Sequence, residues 1–355
     1  MKVAVVRNRK KEGILFRFGR PGPETYGKKS VQRVMDALRA AGHDIKVLEG
    51  DMTLFSRLKK FIPPDENGRP TGLVFNMSYG IQGDCRYTHL PAMLEMAGVP
   101  YTGASPVGHS LSLDKVVTKQ ILQSAGIPTP KMAVMSRPDP TAVENLRFPL
   151  VVKPRHESTS CGLHLVHNHE EMISAVLSVT GQFEQEALVE EYIPGRELCI
   201  GILGNDEPEV LPFVELDFNG REHSMLTRED KFHRTQDEPQ KVCPVQLSPE
   251  LEERIKKIAA QTFRLCHCRD YARVDLRLDP FGNPYVLEIN SMASLGQGGT
   301  FVMGARQSGY SFVDVIDKIV EIACQRYELQ THENKTRFLP VFEQSQINQV
   351  MQAAA

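Results

Sequence analysis

Four polar side chains stand near one another on two apolar stretches, YARVDLRL and PYVLEINS, which the turn-rich segment DPFGN connects. If the two stretches pair as an antiparallel hairpin with Asp275 opposite Glu288, then Arg273 falls opposite Asn290. Side chains alternate between the two faces of a strand, so these four would share one face. The sequence therefore predicts a patch of two carboxylates, an amide and a guanidinium on one side of a hairpin.

Such a patch suits a magnesium ion that is bound together with phosphates. Carboxylate and amide oxygens are hard ligands, and Mg²⁺ in proteins usually keeps several waters and completes its shell with substrate phosphates. The neighbouring arginine could hold a phosphate or a developing oxyanion. The alternative is a solvated strand face with cross-strand ion pairs, which contribute about 0–1 kcal/mol to stability. The hairpin alone does not decide between the two.

The other face of the same hairpin should pack on the core. Alternation places Arg277 on the polar face with the four residues above, and it places six apolar side chains on the opposite face. The predicted core-facing residues are Val274, Leu276, Leu278, Tyr285, Leu287 and Ile289.

A second stretch, VVKPRHESTSCG, has the composition of a phosphate-binding loop. Lys153 ends an apolar strand, where its ammonium can meet a phosphate as a point charge. The small residues Ser158, Thr159, Ser160 and Gly162 would let backbone N–H groups approach phosphate oxygens. An ordinary polar hairpin loop is the alternative. The chain has neither GxxxxGK[ST] nor GxGxxG after a strand, so the P-loop and the dinucleotide fingerprint do not apply.

Acidic residues end the strand in LVEEYIPGRELCI. Glu190 and Glu191 close an apolar run, and Glu197 follows a Pro-Gly turn. Carboxylates at a strand end could receive the amino group of adenine and the hydroxyls of a ribose. The alternative is a charged surface turn. Lys115, in SLDKVVTK, is by itself one helix lysine among many.

The predicted strands and helices that must position these residues are arranged differently in three successive segments of the chain. Residues 1–106 alternate strand-like and helix-like stretches, which predicts a parallel α/β domain. Residues 107–202 hold short strands around a helix and form the predicted central domain with the phosphate loop. Residues 203–330 form a third domain with the magnesium patch, and their charged loop at 219–246 has the length of a functional lid. The polar residues 331–355 form a tail.

The composition bounds the class of protein. The chain has 355 residues, of which 41% are hydrophobic and 24% charged, and its formal net charge is −2. This balance is typical of a globular protein and gives no global attraction to nucleic acid or to an anionic membrane. We expect no signal peptide and no membrane-spanning segment, because no apolar run has the required length. Seven scattered cysteines fit a reducing compartment, so we expect a cytoplasmic protein.

Five motifs occur in order between about residues 71 and 326: LPAMLEMAGVPYTGAS, LSLDKVVTKQILQSAGIPTP, VVKPRHESTSCG, LVEEYIPGRELCIG and ARVDLRLDPFGNPYVLEINSMASL. Together they resemble the D-alanine–D-alanine ligases of the ATP-grasp superfamily. The resemblance implies an α/β (α+β) chain with the ATP-grasp fold in three domains. An N-terminal parallel α/β domain would precede two domains that clasp ATP.

The resemblance also implies roles in binding ATP and metal. The positions that match the phosphate-binding lysines are Lys115, Lys153 and the lid residue Lys231. The positions at the adenine and ribose contacts are Glu190, Glu191, Ile193 and Glu197. The positions that match the magnesium ligands are Asp275, Glu288 and Asn290. The cofactors that follow are ATP and two Mg²⁺ ions, with Mn²⁺ as a substitute.

Further matches concern the amino-acid substrates. Glu24 matches the acid that grips the ammonium of the first amino acid. Arg273 and the backbone amide of Ser294 match the groups that stabilise the tetrahedral intermediate. Thr159, flanked by Ser160, occupies the position of a phosphate-loop serine that supports a hydrogen-bonded triad.

The chain departs from the family pattern mainly on the substrate side. The departures are Thr159 for that serine, Phe232 for a lid tyrosine, Gly299 for the serine that receives the second carboxylate, Ala293-Ser294 for Pro-Gly, and Tyr79 for a histidine. A lost hydrogen bond to a charged group costs about 1.5–3 kcal/mol, enough to change which acceptor is preferred.

These features predict an ATP-dependent carboxylate–amine ligase that forms a peptide bond through an acyl phosphate, as in cell wall biogenesis. One alternative is the same reaction with a different amino acid or a hydroxy acid. A second is a non-catalytic nucleotide-binding regulator. The expected partners are ATP, small amino-acid substrates and a second copy in a homodimer, with no nucleic acid and no membrane.

Overall fold

The computed structural model describes residues 1–9, 16, 24–221, 225 and 238–329. Within these residues the framework consists of three β-sheets, one parallel and two antiparallel. The predicted lid lysine Lys231 and the tail 331–355 lie outside the described residues, as does most of the loop at 219–246.

The first sheet is parallel, as the alternating pattern predicted, and its strand order is β2-β1-β3. Its strands are β1 (Lys2–Arg7), β2 (Asp44–Glu49) and β3 (Gly72–Met77). Its helices are α1 (Lys28–Ala40), α2 (Leu54–Phe61) and α3 (His89–Met96), and the 3₁₀ turn Arg86–Thr88 precedes α3. Val31, Val34 and Leu38 of α1 are buried on one stripe, which is why this segment is an amphipathic helix.

The second sheet is antiparallel with the order β4-β7-β5-β6. Its strands are β4 (Met132–Met135), β5 (Leu150–Pro154), β6 (His164–Val166) and β7 (Ala187–Glu191). The helices before and within it are α4 (Pro106–Leu113), α5 (Lys115–Ser124) and α6 (His169–Phe183), with a 3₁₀ turn at Pro140–Val143. Asp114 begins α5 by accepting hydrogen bonds from Val116 and Val117.

The third sheet has the order β11-β10-β8-β12-β13, and β9 pairs with β8. Its strands are β8 (Arg196–Leu203), β9 (Glu209–Val210), β10 (Val214–Asp217), β11 (Gln240–Val242), β12 (Tyr271–Leu278) and β13 (Pro284–Asn290). Its helices are α7 (Pro249–Leu265), α8 (Thr300–Gln307) and α9 (Phe312–Arg326). A capping box between Ser311 and Asp314 fixes the start of α9.

The C-terminal helix packs back on the first sheet. Ile316 and Ile319 of α9 share one buried cluster with Val31 and Val34 of α1 and with Phe75 of β3. The beginning and the end of the described chain therefore contribute to one core.

The division into three domains at residues 106 and 202 stays a prediction. The structure adds that β8, which the predicted division assigns to the central domain, pairs with β10 and β12 of the third sheet. No helix in the described part of the chain is both long and apolar enough to cross a membrane.

Candidate active site

The hairpin β12–β13 brings the predicted polar patch together. Asp275 pairs with Glu288 and Arg273 pairs with Asn290, so the predicted register is confirmed. Asn290 Nδ2 donates to Asp275 Oδ2 at 2.9 Å and to Glu288 Oε1 at 3.4 Å. Two carboxylates and an amide therefore lie within hydrogen-bonding distance of one another on the same strand face.

Beyond Asp275 the regular alternation breaks, and the predicted core face is wrong in part. Leu276 pairs with Val286, so β13 has one extra residue, a β-bulge, between Val286 and Glu288. Val286 is fully buried in the core with Leu276 and Ile289, whereas Leu287 lines a cavity instead of the core. Tyr285, also predicted to face the core, is half-buried opposite Arg277.

Arg273 clamps Asp275 with two hydrogen bonds of 2.6 Å, from Nε to Oδ1 and from Nη2 to Oδ2. Burial alone would lower the pKa of this guanidinium, but the charge and hydrogen bonds of Asp275, together with the nearby Cys199 and Glu288, outweigh burial and raise it. The arginine is therefore permanently charged and held in one orientation beside the metal patch.

The donor set fits a magnesium ion. Asp275, Glu288 and Asn290 supply only oxygen ligands, and no cluster of three His, Cys, Asp or Glu side chains that could form a complete metal site occurs in the residues that the structure describes. A site with two carboxylates and one amide leaves positions open for phosphates and water, which is the pattern of Mg²⁺.

Two adjoining cavities meet at this patch. The inter-sheet cavity lies between the second and third sheets, and the α8 cavity extends toward the start of α8. The inter-sheet cavity is lined by Lys115, Lys153, Glu190, Glu191, Ile193, Glu197, Ser158, Thr159, Ser160, Arg273, Asp275, Leu287 and Glu288, among others. All of the residues named here except Leu287 are site predictions from the sequence or lie in the predicted phosphate loop.

Lys153 and Glu190 form a buried ion pair in this cavity, and a second lysine completes it. Lys119 Nζ lies 2.8 Å from Glu190 Oε2 and donates to Thr129 Oγ1 at 2.8 Å. Burial raises the pKa of Glu190, but the two lysines outweigh burial and lower it. Sequence reasoning missed Lys119, although its position four residues after Lys115 on α5 would have placed both lysines on one helix face.

Lys115 lies between the phosphate loop and the metal patch. Its ammonium donates to the carbonyl of Glu157 and lies 3.9 Å from Glu288 Oε2. Burial lowers the pKa of Lys115 from its ordinary value, while Glu288 opposes this change. The lysine lines both cavities, so it can contact a group that bridges them.

The acidic residues predicted to hold adenine and ribose have protein partners. Arg277 Nη1 donates to Glu197 Oε2 at 3.1 Å, and the Arg277 guanidinium lies 5.0 Å from the Tyr192 ring centre. Glu191 Oε1 accepts from the Arg147 backbone N–H at 3.0 Å. The sequence placed Arg277 on the polar face of the hairpin but gave no sign that it pairs with Glu197.

Glu24 stands at the centre of a hydrogen-bonded group in the α8 cavity. Tyr87 Oη donates to Glu24 Oε2 at 2.5 Å, and Ser158 Oγ donates to Glu24 Oε1. The resemblance puts Thr159 at the position of the triad serine, whereas in the structure Ser158 makes the contact with Glu24. Burial raises the pKa of Tyr87 well above its usual value, so its hydroxyl keeps the proton that it donates.

A buried arginine lies behind Glu24. Arg86 Nη2 is 3.4 Å from Glu24 Oε2 and 3.2 Å from Glu157 Oε2. Tyr79, which replaces a family histidine, stacks on Tyr26 with ring centres 4.7 Å apart. Sequence reasoning did not identify Arg86 or Tyr87, because both lie in a short 3₁₀ turn and no local pattern reports their contacts with Glu24.

The remaining predicted substrate residue, Ser294, lines the α8 cavity together with Arg273, Gly299 and Thr300. Lys241 lines it as well and donates through Nζ to the carbonyl of Gly298 at 2.7 Å. Every sequence-predicted site residue that the structure describes therefore lines one of the two adjoining cavities.

Comparison with known proteins places these features in a family. The family model described as "D-ala D-ala ligase C-terminus" matches residues 121–321. A D-alanine–D-alanine ligase of Carboxydothermus hydrogenoformans is 30% identical over 301 residues, which cover 82% of this chain and 91% of that protein. The uncharacterised protein y4sG of Sinorhizobium fredii is 46% identical over 331 residues, covering 92% of this chain and 98% of that protein.

Solved structures agree on the fold. The D-alanine–D-alanine ligase of Bacillus anthracis in complex with ATP has a TM-score of 0.72 at 22% identity, covering 92% of this chain and 99% of that chain. The D-alanine–D-alanine ligase of Coxiella burnetii has a TM-score of 0.71 at 22% identity, covering 100% and 98% of the two chains. The mixed α/β architecture, with one parallel and two antiparallel sheets, is that of these structures.

Proposed function

Because the chain belongs to the D-alanine–D-alanine ligase family of the ATP-grasp superfamily, we propose that it joins a carboxylate to an amine at the expense of ATP. The carboxylate of a first amino acid attacks the γ-phosphate of ATP and gives an acyl phosphate and ADP. The amine of a second amino acid then attacks the acyl carbon, a peptide bond forms, and phosphate leaves. The default substrate on both sides is D-alanine.

The observation that carries this proposal is the register of β12 and β13. It sets Asp275, Glu288 and Asn290 on one face beside Arg273, and that face opens on the cavity that Lys115 and Lys153 line. A nucleotide-binding protein without turnover has no need of the arginine and all three oxygen ligands together.

Each group has a step that its position suits. Lys115 and Lys153 would neutralise the phosphates during transfer, and Lys153 can do so while it binds Glu190, because an ammonium has three donors. Asp275, Glu288 and Asn290 would hold Mg²⁺, which supplies charge neutralisation at the phosphate oxygens. Glu24 would receive the ammonium of the first amino acid, and Arg273 with the Ser294 amide would stabilise the oxyanion of the tetrahedral intermediate.

The test is turnover by the purified protein with ATP, Mg²⁺ and a panel of paired amino acids. We expect release of ADP and phosphate in equal amounts, together with a dipeptide that mass spectrometry identifies. Asp275→Asn should abolish turnover and retain most of the affinity for ATP, because it replaces a carboxylate at the predicted metal site by a neutral amide and leaves the base contacts unchanged. ATP binding without a product from any pair would favour the regulator.

A second candidate is the same chemistry with another acceptor. Gly299 and Tyr79 stand where related enzymes carry a serine and a histidine, and both line the α8 cavity. Parallel assays with D-alanine, D-lactate and other amino acids as acceptors separate the two candidates. Dominant ester formation with D-lactate would replace the default assignment.

A further inference from the structure

A single buried arginine lies between the predicted substrate acid and the phosphate loop. Arg86 is 2% exposed, and its Nη2 atom lies 3.4 Å from Glu24 Oε2 and 3.2 Å from Glu157 Oε2. The side chains of Glu24 and Glu157 are only 8% and 6% exposed. Among the residues that the structure describes, neither carboxylate forms an ion pair with another side chain. One guanidinium therefore serves as the counter-charge of two buried carboxylates.

Glu157 lies in the phosphate loop, and its contacts hold the start of that loop. Its carbonyl accepts a hydrogen bond from the ammonium of Lys115, and its Oε1 atom accepts one from Gln185 Nε2 at 3.0 Å. Glu157 also lines the inter-sheet cavity, where the phosphates of ATP are expected. The next residue, Ser158, donates to Glu24. Two consecutive loop residues are therefore connected to Glu24, one directly and one through the arginine.

Binding of the first substrate would change how Arg86 is shared. In the proposed reaction, Glu24 receives the ammonium of the first amino acid, which brings a second positive charge next to the guanidinium. Like charges repel more strongly in a buried site than in water, because the effective dielectric constant is lower. Arg86 would then move away from Glu24 and pair with Glu157 alone.

A closer pair between Arg86 and Glu157 favours phosphate binding for two reasons. It fixes the side chain of Glu157 and, with it, the backbone carbonyl that positions Lys115. It also neutralises a carboxylate on the wall of the inter-sheet cavity, which would otherwise repel the phosphates. ATP should therefore bind more tightly when the first substrate is present.

We propose that Arg86 is a positioning residue that couples binding of the first substrate at Glu24 to binding of the ATP phosphates, because it exchanges a shared contact for an exclusive pair with Glu157. This inference rests on the proposed function and goes beyond it, since it makes the two ligands cooperative and names the side chain responsible. Coupling between two binding sites is reciprocal, so ATP should strengthen binding of the first substrate by the same factor.

The first experiment uses the nucleotide alone. Glu24→Gln removes the charge that competes for Arg86, so it imitates the pairing expected with the first substrate bound. Calorimetric titration with Mg²⁺ and AMP-PNP, an ATP analogue that resists hydrolysis, should show an affinity about fivefold or more above that of the wild type. The matched control is Glu238→Gln, which removes a carboxylate from the same cavity but has no contact with Arg86. Its affinity for AMP-PNP should stay near the wild-type value.

The second experiment measures the coupling itself. AMP-PNP is titrated with and without saturating D-alanine, or the amino acid that the turnover assay identifies in its place. In the wild type we expect the amino acid to lower the Kd of AMP-PNP about fivefold or more. In Glu157→Gln this factor should fall to nearly one, because the loop no longer offers Arg86 a charged partner. Arg86 keeps one carboxylate in each of the two variants, so neither leaves it buried without a counter-charge.

The matched control for the second experiment is Glu186→Gln. Glu186 pairs with Arg155, which precedes Glu157 by two residues, at 2.6 Å, and it lines neither cavity. This variant removes the same charge from an ion pair of the same loop and should keep the wild-type coupling factor. An equal loss in Glu157→Gln and Glu186→Gln would show that any disturbance of the loop reduces the coupling, and it would overturn the role of Arg86.

Other outcomes also contradict the inference. It fails if Glu24→Gln binds AMP-PNP no more tightly than Glu238→Gln, or if Glu157→Gln keeps the wild-type coupling factor. If Glu24→Gln does not fold, the coupling factor of Glu157→Gln decides. If no pair of amino acids is turned over, the proposed function fails, and the titration of Glu24→Gln still tests how the arginine is shared, since it requires no amino acid. A higher affinity in that variant supports the sharing, and an unchanged affinity contradicts it.

Discussion

At the scale of single residues, the centre of the site is a set of buried charges that hold one another in place. Glu190 is 3% exposed, and it lies between Lys153 and the fully buried Lys119. Burying a charge is unfavourable unless an opposite charge lies beside it. Removing one of these three side chains would therefore leave a buried charge without its partner and destabilise the protein. Lys119 does not line either cavity, and its effect on phosphate binding would act through Glu190 and Lys153.

We predict that Lys119 makes stability depend on pH. Burial lowers its pKa to about 8, against the opposing charge of Glu190, whereas the ordinary lysine value is 10.5. Between these pH values the unfolded chain binds one more proton than the folded protein, so stability rises with pH. Relative to Lys119→Met, the wild-type free energy of unfolding should increase by up to about 3 kcal/mol across this window. Urea denaturation at a series of pH values measures the difference.

The control is Lys256→Met, which removes a lysine that is 39% exposed on α7. The difference in free energy of unfolding between the wild type and Lys256→Met should not change with pH in this window. A wild-type advantage over Lys119→Met that is constant from pH 8 to 10.5 would contradict the effect of burial.

Among the predicted site residues, a local pattern positioned those of the hairpin, whereas Glu24 and Lys115 were assigned through the family resemblance. Strand alternation was sufficient for Asp275, Glu288 and Asn290, because the hairpin turn fixes their pairing over a short stretch of chain. Ser158 could not be distinguished from Thr159, since Thr159 and Ser160 both adopt positive φ and the loop therefore does not alternate. Arg86 and Tyr87 reach Glu24 across more than 60 residues, a contact that no local pattern reports.

At the scale of elements, the spacing of apolar residues predicted the helices and the hairpin. It could not predict which sheet a strand joins, because that depends on pairing between strands far apart in sequence. The sequence predicts a helix at about 249–265, and the structure has one at Pro249–Leu265, where Ser248 caps it and Pro249 begins it. The sheet to which β8 belongs was not predictable from the sequence. Its partner β12 lies about 75 residues away along the chain, and no local sequence pattern identifies the partner of a strand over that distance.

The turn between β7 and β8 should not tolerate a side chain at Gly195. Gly195 has φ of +115°, and a Cβ atom there would lie 2.1 Å from the Leu278 carbonyl oxygen. Its own carbonyl accepts from Arg277 Nη2 at 2.8 Å, so a shifted turn would also disturb the Arg277–Glu197 pair. We expect Gly195→Ala to destabilise the protein by more than about 1 kcal/mol. It should also raise the KM of ATP.

The matched control for this turn is Gly98→Ala. Gly98 has φ of +66°, and a Cβ atom there would meet nothing within 4 Å. The control therefore carries only the conformational penalty, about 1 kcal/mol, and should leave the KM of ATP unchanged. Equal unfolding midpoints in urea for the two variants would show that the steric contact with Leu278 is unimportant.

At the scale of the whole molecule, one buried carboxylate joins segments that are far apart in sequence. Asp270 is fully buried, and it accepts from the Gly103 amide at 2.7 Å and from Arg326 Nη2 at 2.9 Å. Asn205 Nδ2 donates to it at 3.1 Å. The linker after the first sheet, the end of β8 and the end of α9 therefore meet at a single side chain.

We predict that Asp270→Asn is among the most destabilising single changes in the protein. It would leave Arg326, whose side chain is 15% exposed, without its counter-charge, and breaking a buried ion pair costs up to about 3–5 kcal/mol. Thermal and urea unfolding measure the loss. The control is Glu253→Gln, whose partner Lys257 is 75% exposed, and it should change stability by less than about 1 kcal/mol. Similar effects of the two changes would show that the Asp270 network does not join the segments energetically.

The extra residue in β13, Leu287, adds a side chain to the lining of the inter-sheet cavity without changing the pairing of the strands. If Leu287 were deleted, Val286 would still pair with Leu276 and Glu288 with Asp275, and the hairpin would become regular. The core residues and the predicted oxygen ligands would both keep their faces, and the inter-sheet cavity would lose the side chain of Leu287. A change in length at this position would therefore alter the cavity wall while the residue pairs on either side of the bulge keep their faces.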